Sequence, residues 1–464
     1  MAKETQHMGD RRAMMLDTPI SKLIPKMAIP TIVAMLITSI YGMADTYFVH
    51  FLGTSATAAV GVNSSIDQMI MVVGSFLAIG SNSYISRLLG AKQLDKASNT
   101  LSTAFFAAIF LGIAVMVPGL IFTDPLVRFL GATDSSAHYA VDYASYVLLA
   151  APFMTASFVL NQSLRSEGNP VYSMVGMGIG GLLNIALDPL FIFTFDMGVA
   201  GAAIATAISK LVGFCILIYP YIRRSSVLRI SPKLISFARD IVREITLMGI
   251  PSLFRMGLGV IASIITINIA GNYSDSAVAA IAVVTRIMMF PTSAILGFGQ
   301  GFQPVAGFNF GAKRFDRVKS SFKFSSIVAI IFIGALSLLM GLFAGPIIQL
   351  FTETDETLLE IGRFCLITQC IVMPLNAWII VVNMLYSALG KPVGAIILGM
   401  SRQGICFFPV VFLLPALFGI YGLAAVQAAA DFLSLLVAIP FAVIAIRDVN
   451  RLANNELQLP EEGL

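Results

Sequence analysis

Two aspartates stand where a charge is costly. Asp45 lies in Tyr41-Gly42-Met43-Ala44-Asp45-Thr46 and Asp188 in Asn184-Ile185-Ala186-Leu187-Asp188-Pro189, each inside a long apolar stretch. An ionisable residue in such a stretch is rare and tends to line an ion or proton path. Asn184 and Asp188 are four apart, so a helix puts them on one face, and Pro189 frees a backbone carbonyl beside them. Carboxylates that meet in one place can hold a proton between them. Thr206 and Asn161 offer further oxygens, although each alone reads equally well as an interhelical hydrogen-bonding residue. The set is therefore either a cation-coupling site or a structural polar network. Asp67, with Asn63 and Gln68 nearby in sequence, is a candidate for a cavity wall or for a cross-helix hydrogen bond. The second half of the chain carries Arg255, Arg286, Arg402 and Asp431 in or near its apolar stretches. Arg286 reads as the deepest of these. It would pair with a carboxylate or draw in an anionic substrate.

The elements that must position these residues follow from composition. The chain has 464 residues, 57% of them hydrophobic and 12% charged, against about 25% charged in soluble domains. A soluble fold of this size could not hide so much apolar surface. The expected class is an all-α polytopic membrane protein, which excludes a cytosolic enzyme, a nucleic-acid binder and a disulfide scaffold. A net charge of +4 is too small to call for a polyanion partner. Cys215, Cys365, Cys370 and Cys406 form no close pairs and read as packing residues. His7, His50 and His138 are too scattered for a metal motif, and no cofactor is expected. The polar start, with Lys3, Arg11, Arg12 and Lys22, predicts no cleavable signal. The 22 Met and 34 Phe would suit a soft cavity for amphipathic ligands, and equally an ordinary membrane core.

A spanning helix needs about 20 apolar residues. Twelve such segments are predicted, beginning near Met27, Ala58, Ser98, Tyr139, Val171, Gly198, Ile245, Val278, Ser320, Ile361, Pro392 and Gly419. Basic residues gather in alternate loops: Arg87, Lys92, Lys96 and Arg165, then Arg223 to Arg243, then Lys313 to Lys323, then Lys391. The other side has Arg128 and Arg363 among Asp124, Asp134, Asp196, Asp275, Glu353, Asp355 and Glu356. By the positive-inside rule both termini face the cytoplasm, in a plasma (inner) membrane. Ile230, Leu234, Phe237, Ile241 and Ile245 repeat at helical spacing, as an interfacial helix between halves would, or as an early start to span seven.

The chain also repeats itself. Ile29-Pro30 recurs as Ile250-Pro251, Gly90-Ala91-Lys92 as Gly311-Ala312-Lys313, Pro125 as Pro346, and Gly198 as Gly419, always 221 residues on. Pro152, Asn161, Gly168 and Pro170 match Pro374, Asn383, Gly390 and Pro392 one residue further on. Six spans per half is an even number, so the halves cross in the same sense. They should be related by a pseudo-two-fold axis along the membrane normal, a common transporter plan. The acids are not copied: Asp45 corresponds to Thr266, and Asp188 to Pro409 or Val410. The predicted organisation is an N-terminal tail over 1–26, a six-helix lobe over 27–222, a linker with the interfacial helix over 223–244, a second lobe over 245–446, and a tail over 447–464.

With these motifs in hand, the chain resembles the multidrug and toxic compound extrusion (MATE) family along essentially its whole length. The marks are Asp45-Thr46 followed by Val49-His50-Phe51-Leu52-Gly53, the paired Gly-Ala-Lys loops, Asn184 to Pro189, and Met289-Phe290-Pro291 to Asn309. It looks like the prokaryotic DinF-like branch. That resemblance implies a cation site in the N-terminal lobe on Asp45, Asn184, Asp188 and Thr206, with Asn161 close by, and a bend of span one at Pro30 upon protonation. The other bacterial branch puts acids in the C-terminal lobe, where this chain has Arg255 and Arg286. The implied activity is efflux of drugs or metabolites, often organic cations, in exchange for H⁺ or Na⁺. Asp67, Gln68, Arg286 and Asn383 are the candidates for a substrate cavity, and Asp45, Asn184 and Asp188 for any bound Na⁺. The expected partners are small amphipathic substrates and the lipid bilayer, with no nucleic acid, and one chain forms a complete pathway as a monomer. The alternative is a flippase for a lipid-linked or anionic precursor, supported by the arginines. A membrane enzyme or receptor is disfavoured, since no nucleophile–base pair is present.

Overall fold

Long apolar runs interrupted by Gly, Pro and Asp leave the backbone one economical solution in lipid, the helix, because it satisfies its own N–H and C=O groups. The computed structural model describes residues 2–351 and 355–457, and Glu353 lies outside them. Among the described residues all regular structure is helical. The N-terminal half contains α1 (Ala2–Asp17), α2 (Ile20–His50), α3 (Thr54–Gly90), α4 (Leu94–Ile121), α5 (Thr123–Phe129), α6 (Asp134–Ser166), α7 (Pro170–Pro189) and α8 (Gly198–Ile222). The C-terminal half contains α9 (Arg239–Gly271), α10 (Asp275–Gly311), α11 (Phe315–Leu342), α12 (Ala344–Gln349), α13 (Glu356–Ala388), α14 (Pro392–Met400) and α15 (Phe407–Leu457). Eleven helical runs are long and apolar enough to cross a membrane. The last, Pro392–Asn455, is 64 residues long, about three times what one crossing needs. It breaks at Gly419, whose φ of 59° and ψ of −138° suit a residue without Cβ. It therefore makes two crossings, and the protein is a multi-pass bundle of twelve.

Most helices begin several residues before the apolar segments. Polar first turns holding Asp95, Asp134, Asp240, Asp275 or Asp316 extend past the hydrocarbon and favour helix N-termini. The linker differs from the expected interfacial helix. It holds only a 3-10 turn at Pro232–Leu234, and Ile241 and Ile245 are buried as the opening of α9. Pro232 favours the turn, and linker backbone pairs with α4 instead: Ser231 N–H bonds Ser102 Oγ and Ser236 N–H bonds Thr103 Oγ1. The early start to span seven is the alternative realised. The first 26 residues are more than a tail, since they supply α1 and the first turns of α2.

The repeat appears in space as a two-fold relation. Asn82 donates to Gln303 at 3.3 Å; these are repeat mates, and a residue that touches its own mate lies on the axis. Gly90 has no room for a Cβ against the Phe308 carbonyl, and Gly311 has none against the Arg87 carbonyl. The two contacts interchange under the 221-residue shift. Gly80 packs in the same way on Ile245, and Gly301 on Ala28. All of these lie toward the end of the bundle that carries the termini. Arg87–Glu244 (2.6 Å) and Lys96–Asp240 (2.5 Å) join the lobes there. Helix α1 straps across both: Arg12 reaches the Gly90 carbonyl at 3.0 Å, while Arg317 reaches the Thr18 carbonyl at 2.7 Å. The cross-lobe hydrogen bond furthest from that end is Ser39–Ser293 at 2.8 Å. Beyond it the described residues make no hydrogen bond or ion pair between lobes, and the buried apolar clusters there each belong to one lobe, so the lobes are joined at the end carrying the termini and share no core at the opposite end. Cys365, Cys370 and Cys406 are buried and unpaired, whereas Cys215 is exposed on α8.

Candidate functional site: an acidic N-terminal lobe and a basic C-terminal cavity

Within the N-terminal lobe four helices bring their polar groups to one buried point. α7 and α8 approach closely because Gly180 lies against the Ser209 carbonyl and Gly213 against the Gly176 carbonyl. That approach sets Asn184 Nδ2 3.1 Å from Thr206 Oγ1 and 3.1 Å from Asp188 Oδ1. Pro189 then ends the regular helix, and Leu190–Thr194 widens into a π-turn, a device common beside functional residues. From α2, Asp45 enters the same region and accepts the Tyr143 hydroxyl of α6 at 3.0 Å. Asp188 feels the charge of Asp45 when both are ionised. Asp45, Asn184, Asp188 and Thr206 are all buried.

One oxygen on each of three residues, Asp45 Oδ1, Asn184 Oδ1 and Asp188 Oδ2, is buried with no hydrogen-bond partner among the described residues. Buried acceptors in this condition are costly unless something fills them. A proton would turn a carboxylate into a donor, and a small hard cation would take the same oxygens as ligands. The donor set suits either.

The remaining candidates are dispersed. Asn161 does not join this cluster. Its amide donates to the Ser173 carbonyl at 3.1 Å and to Ser173 Oγ at 2.7 Å. Ser173 is eleven residues from Asn184 on the same helix, about 16 Å along its axis. Its repeat mate Asn383 does the same work, bonding the Ala395 carbonyl at 2.9 Å. Both pin the start of the following span. Pro30 sits inside an unbroken α2. Asp67 faces the N-terminal lobe, opposite Lys210.

Lys210 of α8 was not among the sequence candidates. Its ammonium bonds the Tyr41 hydroxyl, lies 4.4 Å from the centre of the Tyr41 ring, and interacts with Asp67 and Asp45. Tyr143 was also missed. A mid-span tyrosine carries no charge to mark it, whereas Lys210, an ionisable residue in an apolar stretch, carried the same signal as Asp45.

A cavity of about 450 Å³ opens between the lobes, against the C-terminal one. Gln68 contributes from α3, and Arg255, Asn376, Asn383, Arg402 and Gln403 contribute from the C-terminal lobe. Arg402 Nε bonds Asp431 at 2.7 Å, and Gln427 bonds the same oxygen at 3.0 Å. Arg286 departs from expectation. It is exposed, has no ion pair among the described residues, and does not line this cavity. Sequence depth placed it in the bilayer, but the angular position of a side chain on its helix decides what it faces.

The sequence and the fold have close relatives. The family model described as MatE matches residues 30–190 and again 251–413, one match per half. The chain is 31% identical over 408 residues to the multidrug export protein MepA of Staphylococcus aureus (strain NCTC 8325 / PS 47), covering 87% of this chain and 89% of that protein. The MepA protein of Staphylococcus haemolyticus (strain JCSC1435) is likewise 31% identical over 408 residues, covering 88% and 89%. Among solved structures, the outward-facing conformation of a multidrug resistance MATE family transporter of the MOP superfamily superposes with a TM-score of 0.89 at 25% identity, covering 94% of this chain and 98% of that one. A MATE crystal structure in the bent conformation gives 0.89 at 25% identity, covering 96% and 99%.

Proposed function

From the chain's membership of the MatE family of efflux transporters, to which it plainly belongs, we propose that it is a secondary active antiporter that exports amphipathic organic cations in exchange for H⁺ or Na⁺. The carrying observation is the trio of buried acceptor oxygens on Asp45, Asn184 and Asp188 that lack hydrogen-bond partners among the described residues. The protein is a transporter rather than an enzyme, and its work is to let ion and substrate occupancy oppose each other. With the lobes sharing no core away from the termini, the N-terminal site exchanges ions on that side. Filling it relieves the unpaired oxygens and the repulsion between Asp45 and Asp188, and so favours a different packing of α2, α7 and α8. Pro30 gives α2 a point at which to bend, because its missing N–H leaves the Lys26 carbonyl without an intrahelical donor. With the termini cytoplasmic in the plasma membrane, the observed arrangement faces outward, ready to release substrate and take up the ion.

The test is ethidium efflux from proteoliposomes under separately imposed H⁺ and Na⁺ gradients. Wild type should transport under one of them, and Asp45→Asn should lose gradient-driven transport by at least roughly ten-fold, since a residue in an ion path tolerates no neutral substitute. If Asp45→Asn and Asp188→Asn both leave gradient-driven transport intact, the coupling site is elsewhere.

A further inference from the structure

We propose that the cavity beside Arg255 is an anion-accepting half of the substrate site, and that the preferred substrates are amphiphiles bearing a carboxylate together with their cationic group. This rests on the transporter reading above but not on ion coupling. The two lobes carry opposite charge, acids inside the N-terminal lobe and arginines at the cavity of the C-terminal one. The N-terminal lobe holds the buried Asp45 and Asp188, with Asp67 opposite Lys210, and its contribution to the cavity lining is Gln68. The C-terminal wall holds Arg255 and Arg402 against Asp431.

Arg402 is already committed, since Asp431 takes it at 2.7 Å and is itself buried. Arg255 is not. Among the described residues it makes no ion pair and no hydrogen bond, although it lines the cavity and is only partly exposed. A guanidinium cannot escape this by losing its proton, and an uncompensated charge between apolar helices calls for a counter-ion. Its planar fork matches a carboxylate with two parallel bonds. Asn376 lines the same cavity, is 2% exposed, and leaves its Oδ1 unpartnered. Gln68 and Gln403 add further amide groups, while Met256, Ile264 and Leu296 supply an apolar wall.

About 450 Å³ lies within the range of roughly 300–1,000 Å³ that holds a drug-sized molecule. A lipid-linked precursor with its long tail would need more. The occupant that suits the cavity carries a carboxylate on Arg255 and turns its cationic group toward the lobe that holds the buried acids.

The probes that decide this are a rhodamine with a free benzoate and its methyl ester, which share a scaffold and differ in the carboxylate. Equilibrium binding is read by fluorescence anisotropy on the purified full-length chain, with no gradient applied. Wild type should bind the acid more tightly than the ester. Arg255→Gln should raise the Kd of the acid roughly ten-fold, as loss of a charge-assisted bond predicts, and leave that of the ester within about two-fold. Arg255→Lys, which keeps the charge but not the fork, should retain part of the preference and shows that the site still folds. Parallel shifts for acid and ester, or no shift for either, would overturn the proposal. A failure of the antiport reading leaves this binding difference standing, so the two are separable.

Discussion

Glu167 shows how strongly a single residue can be specified by its neighbours. It follows α6 directly and is buried, and it accepts the Tyr221 hydroxyl at 2.8 Å, the Val227 N–H at 3.0 Å, the Ser226 hydroxyl, and Arg11 at 3.4 Å. It thereby ties α1, α6, α8 and the linker together. Burial pushes its carboxyl above the ordinary carboxylate value of 4.5, against the pull of Ser226, Arg11 and Tyr221. A folded-state pKa raised above the unfolded one means that its stability contribution is complete below the unfolded value and is lost as pH rises through the folded value. The melting temperature of wild type minus that of Glu167→Gln should therefore fall as pH rises from about 4.5; thermal melts in detergent across a pH series check this, and a flat difference would refute it. None of these partners is close in sequence, so nothing but its charge marked Glu167 in the chain. Asp45 and Asp188 were legible for the opposite reason: a carboxylate in an apolar run is conspicuous before any partner is known. Lys210 was equally conspicuous, but its meaning depends on Tyr41 and Asp67, which lie on two other helices.

At the level of elements, the closed end depends on helices meeting without side chains between them. Gly311 of α10 sits on the Arg87 carbonyl, and Gly90 of α3 on the Phe308 carbonyl. Gly311→Ala forces a methyl into backbone, which costs roughly 1–3 kcal/mol and disfavours the closed arrangement by roughly five-fold or more. Spin labels at Lys92 and Arg314 should then show a longer-distance population absent from wild type; an unchanged distance distribution would mean that the helices slide to absorb the methyl. The ion pairs at this end contribute less. Lys96 and Asp240 are 40% and 48% exposed, a setting where a pair is worth about 0–1 kcal/mol. The two lobes also differ in where regular helix gives way: α7 widens after Pro189, whereas the matching span widens at Ser401–Ile405, beside Arg402. The repeat is thus kept in the glycines that pack the lobes together at the closed end, Gly80 with Gly301 and Gly90 with Gly311, and broken where each lobe carries its charge.

For the molecule as a whole, the exchange proposed above requires the lobes to part at the end now joined. Ser39 and Ser293 meet at 2.8 Å, close enough that cysteines there would bond across the lobes. Oxidised Ser39→Cys/Ser293→Cys protein should stop transporting, and reduction should restore it to the level of the unoxidised variant. A fully cross-linked protein that still moves ethidium would show that the lobes need not separate along α2 and α10. The acids lie buried inside the N-terminal lobe and the cavity arginines in the C-terminal one, so the two signs of charge are segregated by lobe.

Membrane class, twelve crossings, the duplication and its axis could be read directly from the chain, because they rest on length, hydropathy and spacing. The chain also marked Asp45, Asn184 and Asp188, since a helix places residues four apart on one face wherever it packs. Packing was needed to establish that Thr206 and Tyr143 complete that group while Asn161 braces a helix end, that Arg286 is exposed while Arg255 lines the cavity, and that the linker holds a 3-10 turn in place of an interfacial helix. Those outcomes depend on the rotation of each helix about its axis and on contacts between residues far apart in the chain, which side-chain packing alone sets.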